Sequence, residues 1–131
     1  IVYRALPLAS HAWSFSVASM AACVQLQNAP AFWNLYREIY EHQEAITVSN
    51  ARATVDQLIR EQPSLSFSDY TKCMATKEGN AQVKSDLNLA RDLAVSSTPT
   101  FFINGVRHEG SVSEKELVEM LTSTGKSNKA N

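Results

Sequence analysis

An α/β fold is what the sequence predicts: one short strand, a block of four to five helices, a β-hairpin and a closing helix. Three observations carry it. Across residues 10–93 apolar side chains recur at steps of three and four, the period of helices that bury one face. Phe101-Phe102-Ile103 then leads through Asn104-Gly105 into Val106-Arg107-His108-Glu109. Asn-Gly is the dipeptide best suited to a type I′ turn, because both central residues need positive φ. Last, Ser113-Glu114-Lys115-Glu116 is an S-x-x-E capping box ahead of Leu117, Met120 and Leu121, which are expected to face inward.

The elements follow in order. IVYRALPL, residues 1–8, is rich in β-branched and aromatic residues and predicts a strand ending at about Ala5, before Pro7, which cannot donate to a ladder. Ser10 is expected to cap a first helix with Trp13, Val17, Met20, Ala21 and Val24 on its apolar face. Asn28-Ala29-Pro30 ends that helix and opens a second, roughly 29–44, since proline is tolerated in a first turn. Phe32, Leu35, Tyr36, Ile39 and Tyr40 line one side of it. A third helix after Asn50 uses Ala51, Val55, Leu58 and Ile59, with Pro63 just beyond its end. A short fourth, about 68–76, surrounds Tyr70, Cys73 and Met74. Gly79-Asn80 is expected to break it and to cap a fifth that reaches about Leu93 through Val83, Leu87 and Ala90. The tail at 125–131, GKSNKAN, is polar and expected to fray.

The bulk numbers narrow the function classes. A chain of 131 residues has room for one domain with a sizeable core. A net charge of −1 gives no electrostatic footprint for nucleic acid. No apolar run approaches the roughly 18 to 20 residues that span a bilayer. The opening Ile1-Val2-Tyr3, without Met and already strand-like, suggests a chain cut from a longer one. Two cysteines, Cys23 and Cys73, are too few for a disulfide-rich scaffold and too far apart for CxxC. With His11, His42 and His108 scattered, they form no zinc pattern. No histidine stands at a diagnostic spacing from a nucleophile, so a hydrolase triad has no support. His42 is expected to complement a helix C-terminus, and His108 to face solvent. Trp13, Phe32, Trp33, Tyr36 and Tyr40 are read mostly as core, with an exposed subset as the alternative.

The order of elements and their local sequences resemble the DsbA-like thiol–disulfide oxidoreductases. The most specific part is AVSSTPTFFINGVRHEG, residues 94–110, which is similar to that family's TPTFF-NG segment. Looser likenesses are "PL" after the first strand, "AAC…Q…FW" early in the helical block, and "C-M" before its last long helix. The resemblance implies a thioredoxin-like fold with a helical insertion at about 10–93, the thioredoxin-like part being 1–8 and 94–124 of a single incomplete domain. The departure is equally informative. The family places a first strand and a CxxC at a helix N-terminus, where the macrodipole lowers a thiol pKa, ahead of the strand that IVYRAL resembles. These residues hold no such pair. Catalytic residues are therefore expected to be none, with the exchanging pair in a longer parent.

For the parent, the resemblance implies a cis bond before Pro99 and a substrate groove shaped by Thr98, Pro99 and Thr100, with His11 at its rim or merely helping to cap a helix. Thr98 would keep a backbone group free to pair with an extended substrate. Its partners would be protein thiols, in the periplasm or on the outer face of the membrane, with no metal and no other cofactor, since the disulfide is itself the oxidant. The resemblance allows a structural disulfide between Cys23 and Cys73, and two buried free thiols are the other reading. Removal of the family's central strand predicts one of three compensations: direct pairing of the remaining strands, a strand-swapped dimer, or association with the absent N-terminal part. Two rival classes stand beside the oxidoreductase: a non-catalytic thioredoxin-like binding module, and a relative of the kappa-type glutathione transferases.

Overall fold

The structure, a computed structural model, describes residues 1–123. The tail at 125–131 lies outside the described residues. Helices α1 (Ser14–Gln27), α2 (Ala29–His42), α3 (Ala51–Arg60), α4 (Phe67–Thr76) and α5 (Glu78–Asp92) precede β1 (Thr100–Ile103), β2 (Val106–Glu109) and α6 (Glu114–Ser123), and a 3₁₀ turn covers Gln43–Ala45. The chain divides into a first unit, Ile1–Leu89, and a second that begins at Ala90.

The first unit is built around α1. One side of α1 packs Val17, Met20 and Val24 against Phe32, Leu35 and Ile39 of α2, Val55 and Ile59 of α3, and Tyr70 of α4. Its other side meets Ala5 and Val83 through Ala22, with Tyr3, Phe15 and Leu87 packed around them. Small residues on α1 allow this close double packing. At Gly79, near the start of α5, a Cβ would stand 2.1 Å from the Ser19 carbonyl oxygen, so only glycine fits there. Gly79 is thus a point of close approach, and it lies within the first turn of α5. The break expected at Gly79-Asn80 falls instead at Lys77, which takes φ 62° and donates its N–H to the Cys73 and Met74 carbonyls.

Side-chain caps fix several helix starts. Asn28 Oδ1 accepts from Ala31 N at 3.0 Å, ahead of Pro30 in the first turn of α2. Ser66 Oγ accepts from Asp69 N at 3.2 Å at the start of α4. Helix α1 departs from expectation, beginning at Ser14 after two turns instead of being capped by Ser10. Ser14 Oγ donates to the Leu8 carbonyl at 3.0 Å and secures that entry.

The strand expected over residues 1–5 does not form among the described residues, where the sheet contains β1 and β2 alone. A strand needs a ladder partner. Here Ala5 N donates to a side chain, Asp86 Oδ2 of α5, at 2.9 Å.

In the second unit β1 and β2 pair antiparallel, Phe101 opposite His108 and Ile103 opposite Val106. Asn104 and Gly105 take φ 50° and 82°, as a type I′ turn requires. The capping box forms, with Glu116 N donating to Ser113 Oγ at 3.2 Å and Ser113 N donating to Glu116 Oε2 at 2.7 Å. Ser113 Oγ also donates to Glu116 Oε2 at 2.7 Å, and the two donations from Ser113, side chain first and backbone second, hold the Glu116 carboxyl below its ordinary range. Leu117 and Met120 are half-buried, but Leu121, expected to face inward, is 57 % exposed. Among the described residues α6 has no fully buried side chain, so its inward face is narrow.

Helix α5 ends in a Schellman motif. Val95 N donates to Ala90 O at 2.7 Å and Ala94 N to Arg91 O at 2.9 Å, with Ala94 itself at φ 50°. A Cβ in that left-handed conformation is unfavourable, and glycine is the usual occupant. Replacing Ala94 by Gly is therefore expected to stabilise the protein by roughly 1 kcal/mol, less the entropy glycine adds to the unfolded chain. A urea midpoint that falls in Ala94→Gly would contradict the assignment.

Candidate functional site

The segment between α5 and β1 is tied to the hairpin at both ends. At its far end the Pro99 carbonyl accepts from Gly110 N at 2.9 Å, and Thr100 Oγ1 donates to the Ser97 carbonyl at 2.8 Å. The Thr98–Pro99 bond is cis. Strand pairing starts at Thr100, so Thr98 lies outside the ladder, and Thr98 and Pro99 are both exposed. At the near end Arg107 of β2 reaches back to α5. Its Nη1 donates to Ala94 O at 3.3 Å and its Nη2 to Leu93 O. The same guanidinium stands 3.4 Å from Glu109 Oε1 and 5.3 Å above the Phe102 ring.

His11 belongs to the first unit and Thr98, Pro99 and Thr100 to the second. At the entry to α1 it is the His11 backbone that serves, its carbonyl accepting from Ser14 N at 2.8 Å, while its ring lies 5.5 Å from that of Trp13. His42 Nε2 is 3.7 Å from Glu38 Oε2, one turn back on α2. His108 is half-buried opposite Phe101, where full exposure was expected. A β-strand alternates faces, and position 108 shares its face with Phe101.

Cys23 of α1 and Cys73 of α4 form a disulfide with Cα atoms 5.8 Å apart. Cys23 is 1 % and Cys73 9 % exposed, so both sulfurs sit within the main core and neither is placed to attack a substrate. Among the described residues no group of three or more His, Cys, Asp and Glu side chains could hold a metal ion. No helix among them is long and apolar enough to cross a membrane.

The aromatic set divides. Phe32 is core, whereas Trp33 is 39 % and Tyr40 52 % exposed. Tyr3 joins them, its ring 5.0 Å from Phe32 and 5.4 Å from Tyr36. Burial, followed by the neighbouring Tyr40, pushes the Tyr36 hydroxyl up to about 12. Tyr3 is raised further, by burial first and then by Tyr40, Tyr36 and Asp86. Tyr70 is raised as well, by burial and by the hydrogen bond it donates to Asp56 Oδ1 at 2.6 Å. These hydroxyls stay protonated at neutral pH.

Two residues escaped the sequence reading. Asp86 is 4 % exposed and accepts from Ala5 N, from Arg4 Nη1 at 3.2 Å and from Gln82 Nε2 at 3.0 Å. Its position three residues after Val83, on the buried face of α5, was the available signal. Arg107 gave none, because only the hairpin register brings it to the end of α5.

A helical block followed by an exposed Thr-Pro turn, a hairpin and a last helix is consistent with a thioredoxin-like protein. Residues 1–123 match the family model described as thioredoxin, and the chain belongs to that family. Among curated proteins it is 29 % identical over 123 residues to Na(+)/H(+) antiporter NhaA 1 of Salinispora arenicola, covering 93 % of this chain and 18 % of that protein. It is likewise 29 % identical over 110 residues to Na(+)/H(+) antiporter NhaA 3 of Salinispora tropica, covering 83 % of this chain and 16 % of that protein. A third relative, NhaA 1 of Mycolicibacterium vanbaalenii, is 26 % identical over 128 residues, covering 92 % and 19 %. The chain thus spans less than a fifth of the length of these relatives. No solved structure matches it.

Proposed function

We propose that this chain is the substrate-docking part of a DsbA-type protein thiol–disulfide oxidoreductase, and that its own cysteines take no part in exchange. The observation that carries the reading is Thr98, exposed and outside the ladder on a segment whose ends are tied to the hairpin. An extended peptide lying beside Thr98 would gain main-chain hydrogen bonds without regard to its side chains, which suits varied protein substrates. Pro99 lacks an N–H and leaves the Thr98 groups as the ones to be paired. The exchanging cysteine pair would be supplied from outside these residues. An extracytoplasmic setting is part of the proposal, supported by a buried disulfide of the kind that persists in oxidising compartments.

The relatives favour a second reading, a non-catalytic thioredoxin-like module carried by a larger membrane transporter. Activity separates the two. The polypeptide alone is expected to leave insulin reduction at the glutathione background, because thiolate attack needs an accessible low-pKa cysteine. Turnover above background that vanishes on mutating Cys23 or Cys73 would overturn this. In the longer protein the first reading requires oxidation of a dithiol peptide, and the second requires none.

A further inference from the structure

We propose that Arg107 is a positioning residue for the Thr98–Pro99 turn, holding the turn at its α5 end while the Gly110 amide holds it at the other. The inference rests on the docking role proposed above. A Schellman motif satisfies the carbonyls of Ala90 and Arg91 but leaves those nearer the helix end unpaired. Arg107 takes one of these, Leu93 O, and the next carbonyl beyond the helix, Ala94 O, with the two arms of one guanidinium. Its cation also lies at the negative end of the α5 macrodipole.

The side chain has little freedom to do otherwise. It extends from β2 directly opposite Phe102, whose ring lies beneath it, and Glu109, two residues along the same face, accepts from Nη1. Its side chain is 34 % exposed, so solvent weakens the Glu109 pairing, and the fork onto the two backbone carbonyls is the more specific contact. Between Ala94 and the Pro99 carbonyl only Val95 to Thr98 intervene. Fixing both ends of so short a span restricts where Thr98 can present its backbone. A docking edge restricted in this way loses less entropy when a peptide binds.

The test uses the full chain as wild type, Arg107→Gln and Arg107→Lys, with amide exchange read residue by residue. Arg107→Gln is expected to speed exchange at Val95 and Gly110 by at least about tenfold, the size of a lost charged hydrogen bond. The β1–β2 ladder amides should keep their wild-type rates. Arg107→Lys keeps the charge but not the planar fork and should fall between the two. In parallel, binding of a fluorescein-labelled extended peptide with a central S-methylcysteine should weaken about tenfold in Arg107→Gln. Unchanged exchange at Val95 and Gly110, or equal acceleration across the whole hairpin, overturns the positioning role. Selective loosening in a protein whose wild type binds no peptide upholds Arg107's hold on the turn and removes the docking reading instead.

Discussion

Replacing Cys23 and Cys73 together by alanine is expected to lower the unfolding free energy by about 4 kcal/mol, the chain-entropy value for a closed loop of this size. The bond joins residues 50 apart and encloses the whole of α2 and α3. It therefore removes much of the unfolded chain's freedom, while in the folded state α1 and α4 already pack together. The Gln27 amide ties the same two helices, donating to Ser66 O at 3.1 Å and accepting from Ser66 N at 2.6 Å. Those exposed bonds contribute far less than the covalent link. For a domain of this length the loss corresponds to roughly 15 °C in melting temperature. Because both sulfurs are buried, dithiothreitol should reduce the native protein only as fast as the first unit opens, and the reduced protein should then melt like the double variant. A variant that melts within a degree or two of wild type would show that the four-helix core suffices without the bond.

Local signals in the sequence proved sufficient wherever the physics is local. Asn104-Gly105 specified its turn, Ser113 and Glu116 their capping box, and Asn28-Ala29-Pro30 the junction of α1 and α2. The apolar spacing located the helices of the first unit, and one-sided burial leaves a periodic trace in all of them but α1, which is packed on two sides. What went astray depended on distant partners. IVYRA has strand composition, yet a strand exists only where a neighbour completes the ladder, and here Asp86 takes the Ala5 amide. Gly79 signalled a break, as glycine often does, but its reason lies on α1, where Ser19 leaves no room for a side chain. The helix end fell to Lys77, a residue with no marked preference for the left-handed region. In the same way, Cys23 and Cys73 were left open between bridge and free thiols, because their pairing depends on α1 lying against α4. Of the candidate site, Thr98–Pro99–Thr100 was legible through its family likeness, whereas Arg107 is known only through the register of β2 against β1.

Asp86→Ala is expected to destabilise the first unit by about 3 kcal/mol, the range for removing a buried carboxylate that accepts several hydrogen bonds. Asp86 fixes residues 4 and 5 against α5, in the role a neighbouring strand would otherwise fill. Its three contacts are not equal. The Arg4 side chain is 52 % exposed, and once Asp86 is gone water solvates its charge, so that ion pair contributes under about 1 kcal/mol. The Ala5 amide has no such recourse. It is a buried donor on a residue 6 % exposed, and its loss of an acceptor incurs the full desolvation cost. Arg4→Ala should therefore be mild where Asp86→Ala is severe, and Asp86→Asn, which keeps an acceptor for Ala5, should lie between them. Chemical denaturation ranks the three variants, and amide exchange at Ala5 shows whether the segment has come loose from α5. If Arg4→Ala proves as costly as Asp86→Ala, the ion pair and not the backbone bond secures the segment, and the ordering argued from burial is wrong.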